Sequence, residues 1–276
     1  MAITAAEVNK LRQQTGAGMM DCKNALVEAN GDFEAAIDIL RKKGQKIAAK
    51  RGENDAKEGL VIAEASSDAK FGVMVTLNCE TDFVAKNDGY RSLVQSLVDQ
   101  ALKNRPNSID ELKSLKYDDR LTVDEKITEQ IGVIGEKLDL SGYTTITADK
   151  VVAYNHPGNQ LATLVGLNSD SSVAEDAGRQ VAMQVAAMNP LALNKDGVDA
   201  RTIEREIEIG KDLAIQEGKP AEMAEKIAMG RLNKFFQENT LLSQAFIRDN
   251  KMTVEQFLGS TEKGLTIIDF KRFSLS

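Results

Sequence analysis

Apolar positions recur at two different periods along this chain, and the change between them divides it. From Thr4 to Gly44 they sit at helical spacing and predict three short helices. The first opens on Thr4-Ala5-Ala6-Glu7, a capping box in which hydroxyl and carboxylate cover free N–H groups, and its apolar face is Val8, Leu11 and the stem of Arg12. Thr15-Gly16-Ala17-Gly18 stops it. A second helix carries Met20, Cys22, Ala25, Leu26 and Ala29 and ends at Asn30-Gly31. Asp32 caps a third, with Phe33, Ala36, Ile37 and Leu40 on its face, which ends at Gly44. So small a unit leaves apolar surface uncovered, and the Met19-Met20 pair is either core filling or a contact patch. Residues 45–57 read as a polar, basic helical connector.

From Gly59 the period shortens to two. Leu60 to Ala63 is one strand, Ser66-Ser67-Asp68 a turn and Phe71 to Leu77 the return strand. Helical spacing resumes from Asp88 to Lys103, with Tyr90, Leu93, Val94, Leu97, Val98 and Ala101 on one face. Between strand and helix lies Cys79-Glu80-Thr81-Asp82-Phe83-Val84-Ala85-Lys86-Asn87. A loop needs no large aromatic, so Phe83 is either a staple folded back on its own core or a wedge for another protein. Asp82 beside it either caps the adjacent helix or repels a negative group on a partner.

The same order returns 90 residues later: Ile62-Ala63 aligns with Val152-Ala153, Phe71 with Leu161, Val75 with Val165, and Leu93 with Met183. Two related α+β subdomains are expected. At the loop the copies differ, Asp82-Phe83 facing Ser172-Val173, which favours the wedge. Between the copies, 109–115 and 123–137 predict helices and 143–147 a strand. After Asn189-Pro190, Asp199 to Glu217 and Ala221 to Glu238 form two long helices joined by Gly218-Lys219-Pro220, an antiparallel hairpin. A further helix is expected over Thr240 to Arg248, a short one after the cap Thr253-Val254-Glu255-Gln256, and a last strand over Leu265 to Phe273.

Composition narrows the function class. The 276 residues, 28% of them charged and 42% hydrophobic, suit two or three small domains without a membrane span. The start, Met1-Ala2-Ile3-Thr4, lacks the basic and apolar regions of a secretory leader, and Cys22 and Cys79 stand without a disulfide framework. Reduced thiols and a cytoplasmic location are expected. The net charge of −7 argues against direct nucleic-acid binding, and the basic run Arg41 to Arg51 is read as a solvated helix face. His156 is the only histidine, no phosphate loop or nucleophile elbow occurs, and no carboxylate pair stands out. No catalytic residue, metal site or cofactor is expected; the protein should act by contact rather than as an enzyme.

Thr15-Gly16-Ala17-Gly18-Met19-Met20-Asp21-Cys22-Lys23, Thr81 to Asn87, Ala186-Ala187-Met188-Asn189-Pro190 and Gly218-Lys219-Pro220 together resemble the bacterial elongation factor Ts family, in order and over about residues 3–273. The resemblance implies an α+β fold: a ubiquitin-associated-like three-helix domain with its linker (1–54), a first core subdomain (55–140) and a second (141–276). The second carries the helical hairpin at about 198–236, a possible homodimer contact with coiled-coil character. It also implies a guanine nucleotide exchange factor for elongation factor Tu, met in its GDP-bound and nucleotide-free states. In the family the segment matching Thr81, Asp82, Phe83 and Val84 enters the GTPase near its magnesium ion. Positions matching Arg12, Met19 and Met20 touch one of its helices, and His156 matches a histidine that meets a separate β-domain. The chain departs from the family in Ser141-Gly142, where two arginines are usual, in Asn159-Gln160, where a basic residue is usual, and in ending at Ser276 where many relatives continue. Two other readings of the residues stay open. One is an adaptor working through residues 1–44 alone, and the other is an RNA binder using residues 41–51, which would show steep salt dependence.

Overall fold

The computed structural model describes residues 3–275; Met1 and Ala2, part of the leader reading, and Ser276 lie outside the described residues. The chain opens with α1 (Ala5–Thr15), α2 (Met19–Glu28) and α3 (Phe33–Arg51). The Thr4–Glu7 capping box is formed, and Gly16 takes the left-handed conformation that ends α1. Val8, Leu11, Cys22, Ala25, Leu26, Ala36 and Ile37 make the small core of this unit.

Next come the hairpin β1 (Glu58–Ala65) and β2 (Phe71–Cys79), a single turn α4 (Asp82–Ala85), α5 (Asp88–Asn104), α6 (Ile109–Ser114), α7 (Val123–Ile134) and β3 (Leu138–Thr147). The order then repeats with β4 (Lys150–Asn155), β5 (Leu161–Leu167) and α8 (Ser172–Met188). The helical hairpin α9 (Ala200–Gln216) and α10 (Ala221–Asn239) follows, then the ribbon β6 (Ala245–Phe246) and β7 (Asp249–Thr253), α11 (Val254–Thr261) and β8 (Ile267–Ser274). The architecture is α+β, with two antiparallel three-stranded sheets of order β1-β2-β3 and β4-β5-β8. No described helix is long and apolar enough to cross a membrane.

Alternate residues of each strand serve different layers. Phe71, Val73, Val75 and Leu77 pack under α5, α6 and α7, whereas Met74, Val61, Ala63 and Ile146 face Val151, Ala162 and Leu164 of the other sheet. Val152, Val165 and Leu167 face α8 and α11. Two sheets thus lie back to back with helices outside, which leaves β2 buried along its whole length. At their contact Gly72 lets the sheets approach, because a Cβ there would lie 2.6 Å from Val151 Cγ1 and force that side chain to shift.

The two copies also meet reciprocally. Val61 N donates to Asn159 O at 2.7 Å, and Val151 N donates to Ala69 O at 2.6 Å. Each pair is the other shifted by 90 positions, and both acceptors sit at left-handed turn positions (φ 53° at Ala69, 56° at Asn159). That is the contact pattern of an approximate two-fold axis.

Two expectations fail here. The third helix does not stop at Gly44 but runs on to Arg51, so the expected connector is largely its last two turns. Gly44 is buried where α3 crosses α7: a Cβ on Gly132 would lie 2.7 Å from Gly44 Cα. The glycine permits close helix contact; it is not a stop. Nor is Thr240 to Arg248 helical. Leu241 N and Leu242 N donate to Ala192 O and Leu193 O, the strand-like segment before the hairpin, and Phe246 stacks on Phe257 with ring centres 4.1 Å apart. The carbonyls that a helix would have used are taken as well, Leu242 O accepting from Glu255 N and Gln244 O from Val254 N, both at 3.0 Å.

Candidate functional site

The segment after β2 is built as two helix starts in series. Thr81 caps α4, its Oγ1 accepting from Val84 N at 3.4 Å, and Asn87 caps α5, accepting from Gly89 N at 2.8 Å. Val84 packs on the first core and Ala85 is buried, so that side of the turn is held inward. Phe83 points the other way and is 83% exposed, which is not the geometry of an inward staple. The helix caps are Thr81 and Asn87, so Asp82 is not one of them; it pairs with Lys86 Nζ at 2.7 Å. The Lys86 ammonium holds the Asp82 carboxyl below its usual range.

Two carboxylates fix this exposed turn from behind. Glu80 accepts from Arg51 Nη1 at 2.9 and 2.8 Å, from Asn54 Nδ2 at 3.0 Å and from Lys137 N at 2.6 Å. Its carboxyl is held below the usual range by the Lys137 N–H first, then by the Arg51 and Asn54 donors. Glu136 accepts from Thr81 N at 3.1 Å and Thr81 Oγ1 at 2.7 Å. Behind them Tyr90 Oη donates to Leu77 O at 2.6 Å, and Cys79 Sγ donates to Thr81 O at 3.2 Å. Burial pushes the Cys79 thiol up to about 11, which leaves it inert as a nucleophile.

Sequence reasoning missed Glu136 and Arg51 as parts of this site. Arg51 is not a solvated end of a basic face, since it grips Glu80 and so ties α3 to the loop. Glu80 lies within the nonapeptide, but the 55-residue separation of Thr81 from Glu136 left no local signal.

The other candidate residues stand on separate elements. Arg12 is exposed in the last turn of α1, and Met19 and Met20, the first residues of α2, are both exposed, so the pair is not core filling. His156 is exposed in the β4–β5 turn, its Nδ1 2.9 Å from Tyr154 Oη. The loop equivalent to the first one carries Ser171 as the cap of α8 and Val173 exposed beyond it. On the hairpin, Gly210 approaches Ala228 so closely that an added Cβ would lie 3.0 Å from its Cα. Ala214, Ala224 and Ala228 are buried there, while Ile209, Leu213, Ile215, Met223 and Met229 remain exposed. An arrangement of exposed apolar side chains on rigid supports can bind a partner.

A family model described as Elongation factor TS matches residues 80–276, beginning at the brace residue Glu80 and containing all of α4. Curated proteins named elongation factor Ts from Amoebophilus asiaticus, Christiangramia forsetii and Porphyromonas gingivalis are similar to the chain at 53%, 51% and 45% identity. The alignments cover 99%, 99% and 100% of this chain and 98%, 98% and 99% of those relatives, so the likeness includes the N-terminal helices.

Proposed function

The chain belongs to the elongation factor Ts family, and on that premise we propose that it is a guanine nucleotide exchange factor for elongation factor Tu, working in translation elongation in the cytoplasm. It alters no covalent bond. It speeds GDP release by binding the nucleotide-free GTPase more tightly than the GDP-bound form, and the coupling is reciprocal. The observation that carries this reading is Phe83, a large apolar ring 83% exposed on a turn whose backbone is fixed by Glu80 and Glu136.

In this reading Thr81 to Val84 enter the GTPase beside its magnesium ion, one of the strongest local charges in such a site. The ring has no need to touch nucleotide. It displaces the side chains that hold the metal and the phosphate loop in register, so the GDP-bound state loses ligation that the empty state never had. Arg12, Met19 and Met20 supply a second contact from the three-helix domain, and His156 a third from the second core subdomain, whose sheet is β4-β5-β8. The first core subdomain, whose sheet is β1-β2-β3 with β3 running to Thr147, presents the wedge. The exposed apolar residues of the hairpin suit a homodimer contact. Release of labelled GDP from elongation factor Tu, with and without this protein, tests the proposal. Release at the spontaneous rate in its presence would overturn it.

A further inference from the structure

Resting on that reading, we infer that Glu136 is a positioning residue for exchange, holding Phe83 at its working angle through Thr81. α4 is four residues long, and a single helical turn does not persist by its own hydrogen bonds, because nucleation is unfavourable. Phe83, being exposed, has few contacts of its own to orient it. The direction of the ring therefore depends on how the start of the turn is held.

Thr81 is that start, and Glu136 takes both of its donors. One carboxylate oxygen accepts the backbone N–H at 3.1 Å and the other the hydroxyl at 2.7 Å. With its proton committed to Glu136, the hydroxyl keeps a lone pair free for Val84 N, the bond that closes the turn. Next to it the roles reverse, Glu80 accepting from Lys137 N. The two strand ends β2 and β3 are thereby locked to each other at the base of the turn. Hydrogen bonds to a charged acceptor are the strong ones, and these are half-buried.

The second copy supplies an internal control. There Glu262, on the segment leading into β8, accepts from the hydroxyls of Ser169 and Ser171, and Ser171 is the 90-shifted counterpart of Thr81. The brace recurs, but the residue after it differs: Ser172-Val173 begins α8, a helix of 17 residues that propagates by itself. In the first copy the turn stands alone and carries the aromatic ring. A brace retained in both copies belongs to the fold; its consequence for exchange belongs to the first copy only.

The test uses the full chain and GDP-loaded elongation factor Tu, following labelled GDP release over a range of protein concentrations. Glu136→Ala should slow stimulated release by about tenfold or more, the scale for losing hydrogen bonds to a charged group, while the free protein still melts cooperatively. Glu136→Gln, which preserves shape and one acceptor oxygen, should fall between Glu136→Ala and the parent, and it serves as the measured variant if the alanine form does not fold. In a Phe83→Ala background, Glu136→Ala should have little further effect, since it acts through the ring. Glu262→Ala should change the rate by less than about twofold, because its loop bears no wedge. Full activity of Glu136→Ala, additive losses in the double variant, or an equal loss at Glu262 would each overturn the inference. A parent protein that does not stimulate release overturns the exchange reading and this role in it. Amide hydrogen exchange over residues 82–86 then separates the two, since a brace without exchange activity still shows faster exchange in Glu136→Ala and not in Glu262→Ala.

Discussion

Replacing Phe83 by alanine separates a wedge from a structural ring. In the free protein the side chain is 83% exposed, so it holds only a small part of the roughly 1.5–3 kcal/mol that full burial confers. Its removal should therefore shift the melting temperature by no more than about 2 °C in a protein of this size. Against a partner the arithmetic changes. An aromatic side chain buries about 150–250 Å². Covering the exposed share at roughly 25 cal/mol per Å² comes to about 3–5 kcal/mol, an upper bound because ordering the contact costs free energy. Central interface residues typically lose about 2 kcal/mol or more on truncation. At about 1.4 kcal/mol per decade, stimulated GDP release should slow by roughly thirtyfold to a few hundredfold. The assay is labelled GDP release from elongation factor Tu, normalised to folded protein, with Val173→Ala in the second copy as control. Val173 is exposed in the equivalent loop, and its truncation should leave the central effect intact. A clearly lower melting temperature for Phe83→Ala, with release per folded molecule unchanged, would refute the reasoning.

The other outcomes concern the supports and the outer contacts. Met19→Ala with Met20→Ala should weaken binding to the GTPase by up to roughly 1.5–3 kcal/mol per side chain without altering the free protein's melt, since both are exposed; a matching loss of fold would make them core. Replacing residues 198–236 by a short Gly-rich loop should leave both sheets folded, because Ala192 and Thr240 already lie paired at the base of the hairpin. If its exposed apolar face joins two copies, sedimentation shifts to monomer; a parent protein already monomeric at high concentration removes that premise. Glu80 makes acid stability testable. Its folded-state value lies below the ordinary 4.5, so the unfolded chain binds the proton more readily. The stabilisation is present above about pH 4.5 and fades as pH falls through the lowered value, so thermal melts of Glu80→Gln should lose part of that acid-limb slope. An unchanged slope would mean that the Lys137, Arg51 and Asn54 contacts contribute nothing.

Local periodicity and capping chemistry determined most of the elements. The Thr4–Glu7 and Thr253–Gln256 boxes, the apolar face of α5 and the alternation of β1 and β2 are each set by residues within one turn or one strand, and each forms as its residues dictate. The 90-residue recurrence likewise announced two copies of one plan, since a shared order of periods survives even where identities are few. The nonapeptide was legible because a large aromatic in a polar loop has to serve either its own core or a partner. Only the tertiary structure decided what Gly44 is for: a glycine that looks like a helix stop from its neighbours is a crossing point once Gly132 lies against it. It likewise made 240–248 a turn leading into the β6–β7 ribbon instead of a helix, because Glu255 N and Val254 N claim the carbonyls of Leu242 and Gln244. The same holds for the site. Phe83 could be read from the loop, but not its direction, which rests on Glu136 and Arg51, residues brought to it from 53 and 32 positions away. Hydrogen bonds between such distant residues leave no period in a sequence. They exist only where packing of the sheets and of α3 on α7 has first brought the ends of α3, β2 and β3 together.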